Sequence, residues 1–424
     1  MRLFPSAWLI LTAAALAVPT AFAAPASPDP LCQQEASVVQ PIVLQHLYVP
    51  GHPGSVQKSA GMMVAVSLGD NVCYFGYGTT DLAARTPPTR NTIFEIGSVT
   101  KTFTGTMLAL CQVRKRGSFH ARDVVDTSHI PCVGPNLDVC LQLTNGMEAL
   151  TYFELATFTG GLPDFPPNDS SGFSSDYNQQ DFIEFLNAWQ APEGGLPAAD
   201  VYSNSSYGLL GELLMSFDGY TGFAEQDTFE SQYDKWIKHY ISLPLGMGCT
   251  GVNVASLPQG CNAQEQLATG YFYRSACACY QSAQPLEWNP LGPSAGIRST
   301  AADMAKYMNA YLGDKVVDGR DVPPALHWAM RIASARTSIA LTKNPENRQA
   351  YSWVWRPAYP ASGATVARPA SFSKDGDVPG FSTCVFIVRG AQLGVTLMAN
   401  NWFVPIGSQC APTEAIVNAI LALQ

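Results

Sequence analysis

The stretch Thr92-Ile93-Phe94-Glu95-Ile96-Gly97-Ser98-Val99-Thr100-Lys101-Thr102-Phe103-Thr104-Gly105 changes its hydrophobic period at Gly97. Before the glycine the residues are β-like. After it, Phe103, Met107, Leu108, Leu110 and Cys111 recur at helical spacing, which predicts a helix over about 99–114. Residues three apart on a helix share a face, so Ser98 and Lys101 can hydrogen-bond across one turn. The free N–H groups and positive dipole end of a helix N-terminus stabilise negative charge nearby. Both effects favour a neutral lysine amine or an alkoxide-like serine, which is how a weak hydroxyl nucleophile is activated.

The spacing alone is not decisive. Ser-x-x-Lys also occurs at Ser55-Val56-Gln57-Lys58 and at Ser371-Phe372-Ser373-Lys374. Only Ser98 stands where a β-like segment ends in glycine and an apolar helix begins.

Outward from this point, Gly61–Leu68 and Val72–Gly78 read as strands joined at Gly69-Asp70-Asn71. Ser382–Val388 and Leu393–Ala399 form a second hairpin pattern around Arg389-Gly390-Ala391-Gln392. Residues 24–35 are a Pro-rich lead-in, and helices are predicted near 36–47, over Asp181–Ala188, over Ser206–Phe217 and over Ala411–Leu423. Thr300-Ala301-Ala302-Asp303 opens a further helix to about Leu312 in the manner of a capping box. The simplest assembly is an α+β fold. An antiparallel sheet is built from both chain ends (about 36–95 and 300–424), and a mostly helical lobe (about 96–299) is inserted between them.

Two more segments carry chemistry. Tyr202-Ser203-Asn204 sets a tyrosine and an asparagine two apart just before a helix. A phenol between two ammonium groups is expected to have a lowered pKa and to shuttle protons. Asn204 can donate to a substrate carbonyl and hold a lysine. Lys374-Asp375-Gly376 precedes the strand Ser382–Val388, which places Lys374 at a strand end, with Gly376 allowing close backbone approach.

Together these segments resemble class C β-lactamases and their penicillin-binding-protein and esterase relatives. Phe94–Gly105 is similar to that family's nucleophile segment, Tyr202-Ser203-Asn204 to its Tyr-x-Asn motif, and Lys374-Asp375-Gly376 stands in the place of its Lys-Thr-Gly. Gly160-Gly161-Leu162-Pro163, Gly292–Thr300 and Leu397–Asn401 follow its habits in the right order. The resemblance implies a β-lactamase/transpeptidase-like fold from about residue 36 to the end, with no cofactor or metal. It implies that Ser98 attacks a carbonyl carbon, Lys101 and Tyr202 move the proton, and Lys374 tunes Tyr202. It further implies that Asn204 orients the substrate amide and that the N–H groups of Ser98 and Asp377 form the oxyanion hole.

Departures from the family pattern fall on the substrate side. Asp375 replaces a threonine that helps hold the β-lactam carboxylate, and two carboxylates ~4 Å apart repel by about 4 kcal/mol at an effective dielectric near 20. Trp402 replaces a second asparagine, and Asp164-Phe165 stand where a glutamine is common. An ester, or a substrate with an amine near Asp375, suits these changes, and Arg298 is a candidate replacement cation.

Competing readings are weaker. Gly292-Pro293-Ser294-Ala295-Gly296 matches the elbow of α/β-hydrolases, but no β-run leads into it. The six histidines show no His-Glu-x-x-His pairing. Three functions remain open: a β-lactamase, a carboxylesterase or D-amino-acid peptidase on the same scaffold, and a non-catalytic penicillin-binding protein.

Composition sets the surroundings. Of the 424 residues 47% are hydrophobic and 13% charged, enough for a sizeable core, and the net charge of -9 argues against nucleic acid or an anionic membrane as partner. A small-molecule substrate and a monomer are expected. Arg2, the apolar run Ala7–Val18 and Ala21-Phe22-Ala23 read as a cleavable export signal rather than a stable membrane anchor. All eleven cysteines follow it, which suits an oxidising compartment outside the cytoplasm, periplasmic or secreted. Cys132 with Cys140 and Cys249 with Cys261 are expected pairs, and an odd count leaves at least one cysteine over. Cys277-Ala278-Cys279 lacks the spacing of a zinc knuckle.

Overall fold

A computed structural model describes residues 29–48, 58–169, 176–224, 227–252, 261, 267–274, 276–277, 279–362, 366–401 and 410–424. The signal-like segment, the first three residues of the Ser55 motif copy and Trp402 lie outside the described residues.

Seven strands make the main sheet: β1 (Gly61–Leu68), β2 (Asn71–Gly78), β3 (Arg348–Gln349), β4 (Val354–Arg356), β5 (Ser371–Val378), β6 (Phe381–Val388) and β7 (Leu393–Ala399). Their order is β2-β1-β7-β6-β5-β4-β3, with antiparallel pairing throughout. Both hairpins form as expected, and β1 pairs with β7 from Met62↔Ala399 to Leu68↔Leu393, so the two chain ends close one sheet. Six helices matter most: α1 (Pro30–Leu44), α2 (Thr100–Arg114), α3 (Asn204–Asp218), α4 (Ala301–Leu312), α5 (Pro324–Ala333) and α6 (Ala411–Leu421).

Side chains alternate along a strand, so β1 feeds two cores. Met62, Val64 and Val66 pack toward α1 and α6, while Met63 and Ala65 join the larger core around α2 and α4. Thr300 caps α4 by accepting from Asp303 N at 3.1 Å, as its sequence suggests.

Two sequence expectations need correction. The lead-in does not extend to residue 35, because α1 begins at Pro30. Proline suits a first helical turn, whose N–H groups need no intrahelical partner, and Asp29 caps the helix by accepting from Leu31 N at 2.8 Å. Lys374 is not at a strand end either. It sits inside β5, a strand whose Ser, Asp and Gly content conceals it in sequence. Pairing with β6 from Phe372↔Ile387 to Val378↔Phe381 imposes the extended backbone.

Helix α2 runs through the interior, buried at every position from Thr100 to Cys111. Its threonines are satisfied there. Thr102 and Thr106 pair with the hydroxyls of Tyr307 and Tyr311 at 2.9 and 2.6 Å, and Thr104 pairs with Tyr233 Oη and donates to Pro293 O, each at 2.7 Å.

Disulfides join Cys132–Cys140 and Cys249–Cys261 as expected, and also Cys32–Cys73, Cys277–Cys279 and Cys384–Cys410. Cys111 on α2 is the free, buried thiol. Among the described residues no helix is long and apolar enough to cross a membrane.

Candidate active site

Gly97 takes a left-handed turn (φ 52°) between the short strand Ile93–Glu95 and the turn Gly97–Val99 that enters α2. Ser98 sits on this turn, 9% exposed, and Lys101 one turn on is fully buried. Lys101 Nζ lies 3.1 Å from Ser98 Oγ, 2.5 Å from Asn204 Oδ1 and 2.9 Å from Ser294 O. The last two atoms are carbonyl oxygens and can only accept. A neutral amine would give both its N–H bonds to them and turn its lone pair to the serine hydroxyl, whereas an ammonium would donate its third bond to Ser98 Oγ. Burial pushes the Lys101 pKa well below the usual lysine range, and Lys374 lowers it further, while Asp164 and Asp375 oppose.

Tyr202 reaches the nucleophile from the other side, with its hydroxyl 2.5 Å from Ser98 Oγ. Lys101 Nζ and Lys374 Nζ lie 4.8 and 5.3 Å from its ring centre. The expected lowered phenol pKa is not found. Although the residue is 38% exposed, its hydroxyl is held inside the cleft, and desolvation pushes its pKa well above the usual range. The hydrogen bond with Ser98 opposes this, but the carboxylates of Asp375, Asp164 and Asp377 add to it. The lysine that was to offset them is engaged elsewhere: Lys374 Nζ donates to Asp375 O at 2.7 Å and Asp375 Oδ1 at 3.1 Å.

β5 presses against the nucleophile turn. A Cβ on Gly376 would stand 2.1 Å from Ile96 O and 2.9 Å from Ser98 N, so only glycine fits. A Cβ on Gly97 would meet Asp377 N at 3.0 Å, which shows how close the backbone of Asp377 comes to this turn. The Asp377 carboxyl accepts from Ser382 Oγ at 2.5 Å, yet burial still pushes its pKa up to about 6.

Comparison with known proteins fits this geometry. The family model described as Beta-lactamase matches residues 53–417. The chain belongs to the β-lactamase family. A β-lactamase of Escherichia coli (strain K12) is 26% identical over 86% of this chain and 90% of its own. One from Yersinia enterocolitica is 28% identical, covering 84% and 86%. Among solved structures, a β-lactamase from Sulfitobacter sp. EE-36 superposes with a TM-score of 0.68 at 22% identity, over 92% of this chain and 99% of that one. A class C β-lactamase from Rhodobacter sphaeroides gives 0.65 at 21% identity, over 91% and 99%.

Within this β-lactamase fold the remaining sequence candidates fall into place. Lys101, Tyr202 and Asn204 converge on Ser98, with Lys374 Nζ near the Tyr202 ring and the backbone of Gly376 and Asp377 against the nucleophile turn, while Asp375 alternates to the other face of β5 and reaches this group only through its bond from Lys374. Ser371 is not a second nucleophile, because an odd separation along β5 puts it and Lys374 on opposite faces of the strand. Ser294 is not an elbow nucleophile, because it is buried in the short helix Gly292–Ala295 and donates to Leu291 O at 2.7 Å. Arg298 is not a free cation for substrate. It pairs with Glu95 at 3.0 Å and donates to Val252 O at 2.7 Å.

Two participants escaped the sequence reading. The Ser294 carbonyl has no side-chain signature. Asp164, noted only as a departure, accepts from Asn204 Nδ2 at 2.7 Å. Its pKa is raised by desolvation, against the pull of Lys101 and of its bonds from Asn204.

Proposed function

We propose that the protein is an exported serine β-lactamase that opens the β-lactam amide through an acyl-enzyme on Ser98. The observation that carries this is the set of acceptors around Lys101: with Asn204 Oδ1 and Ser294 O taking its N–H bonds, the buried amine is a base aimed at Ser98.

Ser98 Oγ bonds to the carbonyl carbon as its proton passes to Lys101 Nζ. The resulting oxyanion lies between the N–H groups of Ser98 and Asp377. The C–N bond then breaks and Tyr202, a neutral phenol in the resting site, supplies the proton to the departing nitrogen. Lys101 returns its proton to the Tyr202 phenolate by way of the Ser98 position. Water next adds to the acyl carbon, loses a proton to the same base pair, and releases Ser98. Asn204 uses its second N–H for the acyl side-chain carbonyl, and Lys374 lines the leaving-group side.

Curated relatives named as β-lactamases and the intact acyl-transfer groups support this reading. The signal-like N-terminus and five disulfides support export, which N-terminal sequencing of secreted protein checks by a start after Ala23. Size-exclusion chromatography checks the monomer.

Nitrocefin and p-nitrophenyl acetate turnover test the function. Nitrocefin hydrolysis is expected to dominate in the wild type and to fall at least about 10⁴-fold in Ser98→Ala, with an unchanged melting temperature. Ester turnover without nitrocefin turnover would make the protein an esterase. A stable adduct on Ser98 with neither activity would make it a binder.

A further inference from the structure

Asn204 is held from both ends of its amide. Its Oδ1 accepts from Lys101 Nζ at 2.5 Å, and its Nδ2 donates to Asp164 Oδ1 at 2.7 Å. A flipped amide would set its NH2 against the lysine donors and its oxygen against a carboxylate, so neither contact would survive.

Asp164 is itself fixed. Its backbone carbonyl accepts from Asn204 N at 2.9 Å and Ser205 N at 3.1 Å, both in the first turn of α3. Ser203 Oγ adds a bond to Pro163 O at 2.7 Å. The carboxylate therefore stands at the positive end of a 15-residue helix, where negative charge is favoured. The residue as a whole is nonetheless exposed, although its carboxyl is partly desolvated, so packing alone does not require an acid there.

We infer that Asp164 is a positioning residue for acyl transfer: it holds Asn204 with its carbonyl oxygen toward Lys101, and it keeps a negative charge one amide group away from that amine. The inference rests on the serine acyl-transfer reading of the site.

The charge has a definite consequence because Lys101 is crowded. Lys374 and Asp375 face it from β5, Asp164 from the loop after Gly160-Gly161-Leu162-Pro163, and the rings of Tyr202 and Tyr207 from α3 and its entry, at 4.8 and 5.8 Å. Burial and Lys374 make the amine harder to protonate, whereas Asp164 and Asp375 make it easier. Without the Asp164 charge, a lower pH is needed to protonate Lys101 and stop catalysis.

Asp164→Asn keeps an acceptor for Asn204 and removes the charge, while Asp164→Ala removes both. The rate of Ser98 labelling by a fluorophosphonate ester and kcat/KM for nitrocefin would be measured from about pH 4.5 to about 9, with melting temperatures. The acid limb should move down by about half to one pH unit in both variants. The plateau should fall about tenfold or more in the alanine variant, and the asparagine variant should recover most of it. An unmoved limb, an alanine plateau equal to wild type, or an asparagine plateau as low as alanine's would each overturn the inference. Wild-type labelling of Ser98 without nitrocefin turnover would instead overturn the β-lactamase reading and leave the labelling profiles to decide this one. A wild type that does neither ends both.

Discussion

The two faces of the central sheet are held in different ways. On the outer face, Met62, Val64, Val66, Phe386, Val395 and Leu397 meet α1 and α6 in an apolar layer. Disulfides tie that layer down: Cys32–Cys73 links α1 to β2, and Cys384–Cys410 links β6 to the start of α6. The inner face carries the larger apolar core and buries polar groups within it. Thr102, Thr104, Thr106, Lys101 and the tyrosines that serve them fill the space around α2, which no disulfide reaches. A face that only has to hold can be apolar and covalently stapled. A face that carries a nucleophile must bury hydrogen-bonding groups, and it depends on satisfying each one.

The contrast can be broken on either side. The largest stability effect at any single pH near neutrality should come from the staple: Cys384→Ser with Cys410→Ser releases a loop spanning 26 residues, worth about 3.5 kcal/mol on the chain-entropy model. Denaturant unfolding would read the loss, and nitrocefin turnover of the protein that remains folded should be unchanged. On the inner face, Thr104→Val strands Tyr233 Oη and Pro293 O without changing side-chain shape, and should cost about 2 kcal/mol by the same measurement.

Two buried acids are unsettled: Glu35 on α1, with neither carboxylate oxygen partnered and its pKa pushed up to about 7 by burial, and Glu212 on α3. Glu212 is buried, with Gln179 Nε2 donating to one oxygen at 2.8 Å and Oε2 unpartnered, and desolvation pushes its pKa from 4.5 up to about 8. The folded state therefore binds a proton that the unfolded state has released. Its contribution is full below about pH 4.5 and is lost as pH rises through about 8. Glu212→Gln should flatten this decline, and the gap in unfolding free energy between variant and wild type should widen by up to about 4 kcal/mol from pH 5 to pH 9. A gap that stays constant with pH would show that Glu212 does not titrate in this window.

The smallest effect concerns the cleft mouth. Asp375→Thr frees Lys374 from its carboxylate partner and removes one charge that raises the Tyr202 pKa. The ratio of nitrocefin to p-nitrophenyl acetate turnover should rise about three- to tenfold. An unaltered ratio would mean that the substrate does not sense this position.

What sequence reveals here follows the range of the interaction. The hairpins at 61–78 and 381–399 announce themselves through apolar runs and glycine turns, and Ser98 with Lys101 through a spacing that one helical turn fixes. Cys132–Cys140 and Cys249–Cys261 are legible because they close short loops. Cys32–Cys73 and Cys384–Cys410 require knowing that α1 and α6 lie on one face of the sheet. β5 is hidden because its extended state comes from its neighbour rather than from its own residues. The Tyr202 pKa is misjudged in sequence for a related reason. The two lysines are visible in the motifs, but the burial and the three carboxylates that outweigh them come together only in the fold. Asp164 meets Asn204 across 40 residues, and nothing local foretells the contact.

Cys111 offers an unplanned use. Ten of the eleven cysteines are joined in pairs, and the remaining thiol lies at the heart of the helix that carries Lys101, with burial pushing its pKa up. A thiol-reactive dye added to native enzyme has nothing to attack until that helix comes away from its surroundings. The speed of labelling is then a built-in gauge of how often the centre of the molecule opens, free of any engineered probe.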